Sequence, residues 1–169
     1  LARESQVAFK TQVQEWKNVL LRGLAPEDLT RYRAAFDAQQ AAVVDLLQRV
    51  RGRAAELGMA VDPVDRILAL HADLDQRYAT ALDSFAPGTP EAAWQVDRAV
   101  RGMDRPLTEA FDALVSEVRG LADARRRAVE QRIAEVSATQ RRILIGAHAA
   151  GGVLVLISLL LALRAIRRR

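Results

Sequence analysis

The sequence predicts an all-α fold: an antiparallel up-down-up-down four-helix bundle whose last helix continues into a transmembrane helix. Half of the 169 residues are hydrophobic but only 5% are aromatic, a composition that favours helices when Ala, Leu and Arg dominate. Apolar residues recur at alternating steps of three and four, which is typical of bundled helices. The 21 residues 143–163 carry no formally charged side chain, and about 20 such residues cross a bilayer.

Three proline-containing connections divide the chain into helices. They are residues 23–26, 58–63 and 85–90. In the third, Thr89 is a capping residue placed before a proline at the first helical position. The predicted helices are 1–22, 27–57, 63–85 and 90–142. Because short connections make successive helices antiparallel neighbours, these four helices are expected to form one bundle.

Each predicted helix carries one apolar stripe that should face the core. Helix by helix, the stripes are Phe9, Val13, Trp16 and Leu20; Phe36, Val43, Leu47, Val50, Ala54 and Leu57; Val64, Ile67, His71, Leu74, Tyr78, Ala81 and Phe85; and Val96, Val100, Met103, Leu107, Phe111, Leu114, Val118 and Leu121.

Four residues on or near the stripes need separate comment, and three of them allow two interpretations. Gln40 fills a core slot and is expected to fix helix register. His71 is either a hydrogen-bonded core histidine or a haem ligand, although no CxxCH motif for covalent attachment is present. Trp16 is either a core anchor or a platform for a ligand. Pro106 either bends the fourth helix or breaks it.

Composition argues against most catalytic and metal chemistry. The absence of Cys excludes disulfides and thiolate sites, and only two His are present. The sequence has no phosphate-binding glycine loop and no HExxH motif. We therefore predict no catalytic residue, no metal site and no cofactor. Acidic and basic residues alternate, so no nucleic-acid surface is predicted either.

Two basic rows are the candidate ligand-binding residues. Lys10, Gln14 and Lys17 share a face of the first helix. The second row, on the fourth helix, consists of Arg98, Arg101 and Arg105. Since neighbouring helices would bring the rows face to face, they could hold a carboxylate or another small anion. The alternative is that both rows are solvated helix faces, with Glu15 and Asp97 forming weak ion pairs.

The apolar C-terminal run is predicted to span a membrane. Arginines flank it on both sides, and the final cluster at 167–169 favours a cytoplasmic C-terminus. The alternative is a buried helix of a soluble protein. His148 lies within this run among small residues. It is interpreted either as part of a helix-packing surface or as a polar group that takes part in proton chemistry.

The fourth helix is predicted to be about 80 Å long, whereas the third is about 35 Å. The stripe of its lower half, Val129, Ile133, Val136 and Ile143, therefore has no cover within the chain. We expect an upstream half of the first helix, preceded by a first membrane span, or a second subunit, to cover it.

The segment FKTQVQEWKNVLLRG at 9–23 resembles the first-helix signature in the sensory region of one group of methyl-accepting chemotaxis proteins. The tail ALRAIRRR resembles the entry into the HAMP linker that follows the second membrane span of these receptors. The resemblance implies an extracytoplasmic four-helix sensory domain at 1–142, a transmembrane helix at 143–166 and the start of a cytoplasmic linker at 167–169. It further implies a bacterial inner-membrane receptor with its bundle in the periplasm, which dimerises through its first and fourth helices. Such a receptor senses a small molecule or a ligand-binding protein and signals to a HAMP domain by helix displacement. The alternatives are the same module on a histidine kinase or a diguanylate cyclase, or a tail-anchored helical scaffold.

Overall fold

The structure is a computed structural model that describes residues 1–83, 85 and 89–167, without the side chains of Pro90 and of some residues between 146 and 166. The described chain is helical and contains no strand, which confirms the all-α prediction. The helices are α1 (Ala2–Arg22), α2 (Pro26–Glu56), α3 (Asp62–Asp83), α4 (Pro90–Val100) and α5 (Arg105–Arg167).

Local sequence signals determine where the first helices end. A Cβ at Gly23 would collide with the carbonyl oxygen of Val19, so only glycine fits after α1. Gly58 follows α2 with a φ of 66°. The amide of Met59 donates to the carbonyl of Ala54 at 2.9 Å and that of Gly58 to Ala55 at 3.0 Å, which together form a Schellman motif. The predicted connection at 85–90 lies partly outside the described residues.

The single helix predicted for 90–142 is wrong, and the alternative of a break near Pro106 is confirmed. The helix is interrupted by a turn at 101–104, in which Gly102 has a φ of 77°. A left-handed backbone is easily adopted only by glycine. Pro106 is the second residue of α5, where its missing amide hydrogen loses no helical hydrogen bond.

The core lies between helices that contact one another in a ring: α1 contacts α2 and α4, and α3 contacts the same two helices. The helix α5 joins this core through Phe111, whose ring stacks on Phe9 with centroids 5.3 Å apart. Most predicted stripe residues are buried. Leu57, Val118 and Leu121 are exceptions, with exposures of 52%, 36% and 47%.

The chain divides into two compact units, Leu1–Arg119 and Gly120–Arg169. In the second unit, the predicted stripe residues Val129, Ile133, Val136 and Ile143 are all more than half exposed. Among the described residues, no helix is long and apolar enough to cross a membrane. The span predicted for 143–163 falls partly on side chains outside the described set. His148 hydrogen-bonds through Nδ1 to the carbonyl of Leu144 within the same helix, at 2.7 Å.

Candidate functional site

A polar cavity of about 320 Å³ opens beside the turn at 101–104. We call it the turn cavity; it is lined by Val13, Trp16, Lys17, Tyr78, Asp97, Val100, Arg101, Gly102, Asp104 and Arg105. The break between α4 and α5 therefore supplies much of its wall. The turn exposes Arg101 and Arg105 on either side of Gly102, while α1 contributes Lys17.

A second cavity of about 570 Å³ lies between α1 and α4. We call it the Trp94 cavity; it is lined by Lys17, Leu20, Leu21, Ala93, Trp94, Asp97, Arg98 and Arg101. Trp94 and Leu21 are 62% and 64% exposed, so this cavity combines apolar walls with cations. The two cavities share Lys17, Asp97 and Arg101.

The cations of these cavities are only partly neutralised. Arg101 donates to the Asp97 carboxylate four residues earlier at 2.8 Å, an exposed helix pair of small energy. Within the described chain, Lys17, Arg98 and Arg105 form no ion pair. The cavities therefore present guanidinium and ammonium donors with spare capacity for a carboxylate or another anion.

Aromatic rings form the inner wall of the turn cavity. Trp16 is 2% exposed and stacks on Tyr78 with centroids 4.2 Å apart. Burial raises the pKa of Tyr78, and the carboxylates of Asp104, Asp75 and Asp97 raise it further. The buried indole Nε1 of Trp16 has no hydrogen-bond partner among the described residues. Trp16 is thus a core anchor, as its stripe position predicted, and its ring also lines a cavity.

The structure brings together four of the six predicted ligand-binding residues. Lys17 and Arg101 line both cavities, Arg105 lines the turn cavity, and Arg98 lines the Trp94 cavity. Lys10 and Gln14 are exposed on α1 and line neither of these two cavities.

A second polar cluster lies inside the bundle. His71 is 1% exposed. Its Nε2 lies 2.8 Å from Oε1 of Gln12, and its Nδ1 lies 3.0 Å from Oδ2 of Asp75. The Gln12 amide donates to Oδ1 of Asp75 at 2.7 Å. The cluster therefore links α1 to α3, and it confirms the core-histidine interpretation, because both ring nitrogens already have partners.

Burial sets the charge state of this cluster. It lowers the pKa of His71 to about 4 and raises that of Asp75 to about 6, an effect that hydrogen bonds from Gln12 and Gln40 partly oppose. The contact between Gln40 and Asp75 agrees with the predicted role of Gln40 in fixing register.

Sequence reasoning missed Gln12 and Asp75. Gln12 lies three residues after Phe9, and Asp75 lies four residues after His71. Each therefore shares a helix face with its apolar stripe, and this spacing was the sequence signal that could have identified them.

These features define an all-helical bundle domain that has cation-lined cavities beside a buried polar cluster. Over 158 residues, 92% of this chain, the sequence is 36% identical to the methyl-accepting chemotaxis protein CtpH of Pseudomonas aeruginosa. The chain spans 27% of that protein's length. No protein-family model matches the chain, and no solved structure matches it. The chain is therefore related to one region of a methyl-accepting chemotaxis protein, which confirms the resemblance to this class of proteins.

Proposed function

We propose that this chain is the ligand-sensing and transmembrane signal-transducing region of a bacterial chemoreceptor. The observation that carries the proposal is the position of the turn cavity. Arg101 and Arg105 line this cavity, and Arg105 is also the first residue of α5, which continues without a break to Arg167. A ligand held at this point contacts the start of a helix of 63 residues, about 95 Å long.

The proposed ligand is a small anion, either free or presented by a ligand-binding protein. Lys17 on α1 and the arginines at 101 and 105 are placed to bind it with charge-assisted hydrogen bonds. Such a ligand attracts α1 and the start of α5 to one another. It shifts the packing equilibrium only by its differential affinity for the two arrangements, and displacements of about 1–2 Å are sufficient in other signalling proteins.

The proposed topology follows the resemblance to chemoreceptors. Residues 1–142 form an up-and-down bundle in the periplasm, 143–166 cross the inner membrane, and 167–169 begin a cytoplasmic linker towards a HAMP and signalling domain. The exposed stripe of Val129, Ile133, Val136 and Ile143 supports a homodimer through α1 and α5, because such a stripe requires cover. Lys10 and Gln14, on the exposed face of α1, would then lie where a second subunit contributes to binding.

Calorimetric titration of the full chain in detergent tests the anion site. The probes are a panel of mono-, di- and tricarboxylates and inorganic oxyanions. Lys17→Ala should weaken binding of the best anion about 10- to 100-fold, because each charge-assisted hydrogen bond contributes about 1.5–3 kcal/mol. Arg3→Ala is the matched control, since Arg3 is an exposed basic residue of the same helix that lines neither cavity. Equal affinities of the Lys17→Ala variant and the wild type would refute the site.

A further inference from the structure

The cluster of Gln12, His71 and Asp75 has a hydrogen-bond pattern that requires one more proton than a neutral imidazole and a carboxylate possess. Gln12 donates its amide to Oδ1 of Asp75 at 2.7 Å, so its Oε1 is the atom that faces Nε2 of His71 at 2.8 Å. The other ring nitrogen faces Oδ2 of Asp75 at 3.0 Å. A neutral imidazole has one N–H, and here it meets two acceptors.

One additional proton satisfies every contact. On His71, it makes both ring nitrogens donors to Asp75 and Gln12 but leaves a buried ion pair; on Asp75, it leaves both groups neutral, which burial favours. The carboxyl O–H then donates to Nδ1 of His71, and the ring donates its Nε2–H to Oε1 of Gln12. Without that proton, the single ring N–H can serve Asp75 or Gln12, but not both. Rotating the Gln12 amide by half a turn does not remove the need for the extra proton, because the amide oxygen would then face Oδ1 of Asp75, another acceptor.

Among the described residues, no Lys or Arg side chain acts on His71 or Asp75 to stabilise an ionised Asp75. From α1 the neighbours are the amide of Gln12 and the ring of Phe9, whose centroid lies 6.3 Å from that of His71. From α2 the amide of Gln40 reaches Asp75. On α3 the ionisable neighbour is Tyr78, which the carboxylates of Asp97 on α4 and Asp104 in the following turn also influence. From α5, Phe111 stacks on Phe9.

We propose that this cluster is a buried proton-binding site, with the proton on Asp75, and that loss of the proton weakens the packing of α1 against α3. The ligand of this site is the hydrogen ion itself, so the bundle responds to the pH of its surroundings even when no anion is bound in either cavity. Burial raises the pKa of Asp75 to about 6, which places the response close to neutrality. The side chain is 11% exposed, so protons can exchange with solvent.

Nitrogen-15 NMR of labelled histidine locates the proton directly. In a His148→Asn background, His71 is the only remaining histidine. Its ring should remain neutral from pH 5 to pH 8 with the hydrogen on Nε2 at the acidic end of this range, while the carbon-13 signal of the Asp75 carboxyl titrates near pH 6. A ring that gains charge near pH 6.5, or an Asp75 carboxyl that titrates near its ordinary value, would overturn the proposal.

Trp16 reports the packing consequence, because its ring on α1 stacks on Tyr78 of α3. In a Trp94→Phe background, its fluorescence should change with a midpoint near pH 6. Asp75→Asn should abolish the change, because the amide supplies the donor to Nδ1 at every pH. Asp73→Asn is the matched control: Asp73 is exposed on α3 and pairs with Arg77, and its replacement should leave the transition intact. A fluorescence transition that persists in Asp75→Asn, or that disappears in Asp73→Asn, contradicts the proposal. If Asp75→Asn does not fold, the NMR titration of the unaltered cluster tests the proposal instead.

Discussion

Replacement of Asp75 by Asn should make the stability of the bundle strongly dependent on pH, although it removes an ionisable group. In the wild type, two opposite effects cancel. The pKa of Asp75 is raised from 3.8 to about 6 in the folded protein, so its stabilising contribution is present below pH 3.8 and is lost as pH rises through about 6. The pKa of His71 is lowered from 6.5 to about 4, so its contribution is present above pH 6.5 and is lost as pH falls through about 4.

The pair therefore holds nearly the same number of protons in the folded and unfolded states at every pH. Asp75→Asn leaves only the His71 contribution. A pKa shift of about 2.5 then corresponds to about 3 kcal/mol of stability, which the variant should lose between pH 6.5 and pH 4 while the wild type changes little from this pair.

Urea unfolding at several pH values between 4 and 8, followed by Trp16 fluorescence in a Trp94→Phe background, measures this difference. The informative quantity is the free energy of unfolding of the variant minus that of the wild type. This difference should fall by about 3 kcal/mol from pH 7 to pH 4, whereas Asp73→Asn should show no such fall. A difference that stays constant with pH would show that His71 and Asp75 do not have opposite pKa shifts.

Three further predictions concern the backbone, the core and signal transmission. Gly102→Ala should lower the free energy of unfolding by about 1 kcal/mol, because the φ of Gly102 is 77°. Gly52→Ala should stabilise the protein, because Gly52 lies inside α2 with open space at the Cβ position. Thermal unfolding compares the two variants, and equal melting temperatures would contradict the argument. Phe111→Ala removes a fully buried ring and should cost about 3–5 kcal/mol, while Val44→Ala, at an exposed position of α2, should leave the urea midpoint of the bundle nearly unchanged. Insertion of three glycines after Ser137 should abolish ligand control of the output of a complete receptor without changing ligand affinity, and an unchanged response would disprove transmission through α5.

The sequence predicted the first three helices and most of the core because both depend on local periodicity. On the third stripe, each position from Val64 to Ala81 proved buried. The prediction of burial was wrong at Leu57, which follows the end of α2. A 3.6-residue repeat no longer determines side-chain direction once the helix has ended.

The turn and the polar cluster were harder to predict, for two different physical reasons. The break at 101–104 depends on Gly102, and one glycine within a helical pattern is a weak signal that tertiary packing must decide. Gln12 was missed because an amide is assigned to the surface unless its partner is known. That partner, Asp75, is 63 residues away in sequence, and no local pattern connects them.

The turn cavity and the Trp94 cavity share three charged lining residues, Lys17, Asp97 and Arg101. An anion bound in either place neutralises the cations that the other requires, and the two sites should therefore show negative cooperativity. In a receptor with the proposed anion site, an inhibitor would therefore not have to enter the pocket of the activating ligand. An amphipathic acid that rests its apolar portion on Trp94 would act as an antagonist of a small anion bound beside Trp16.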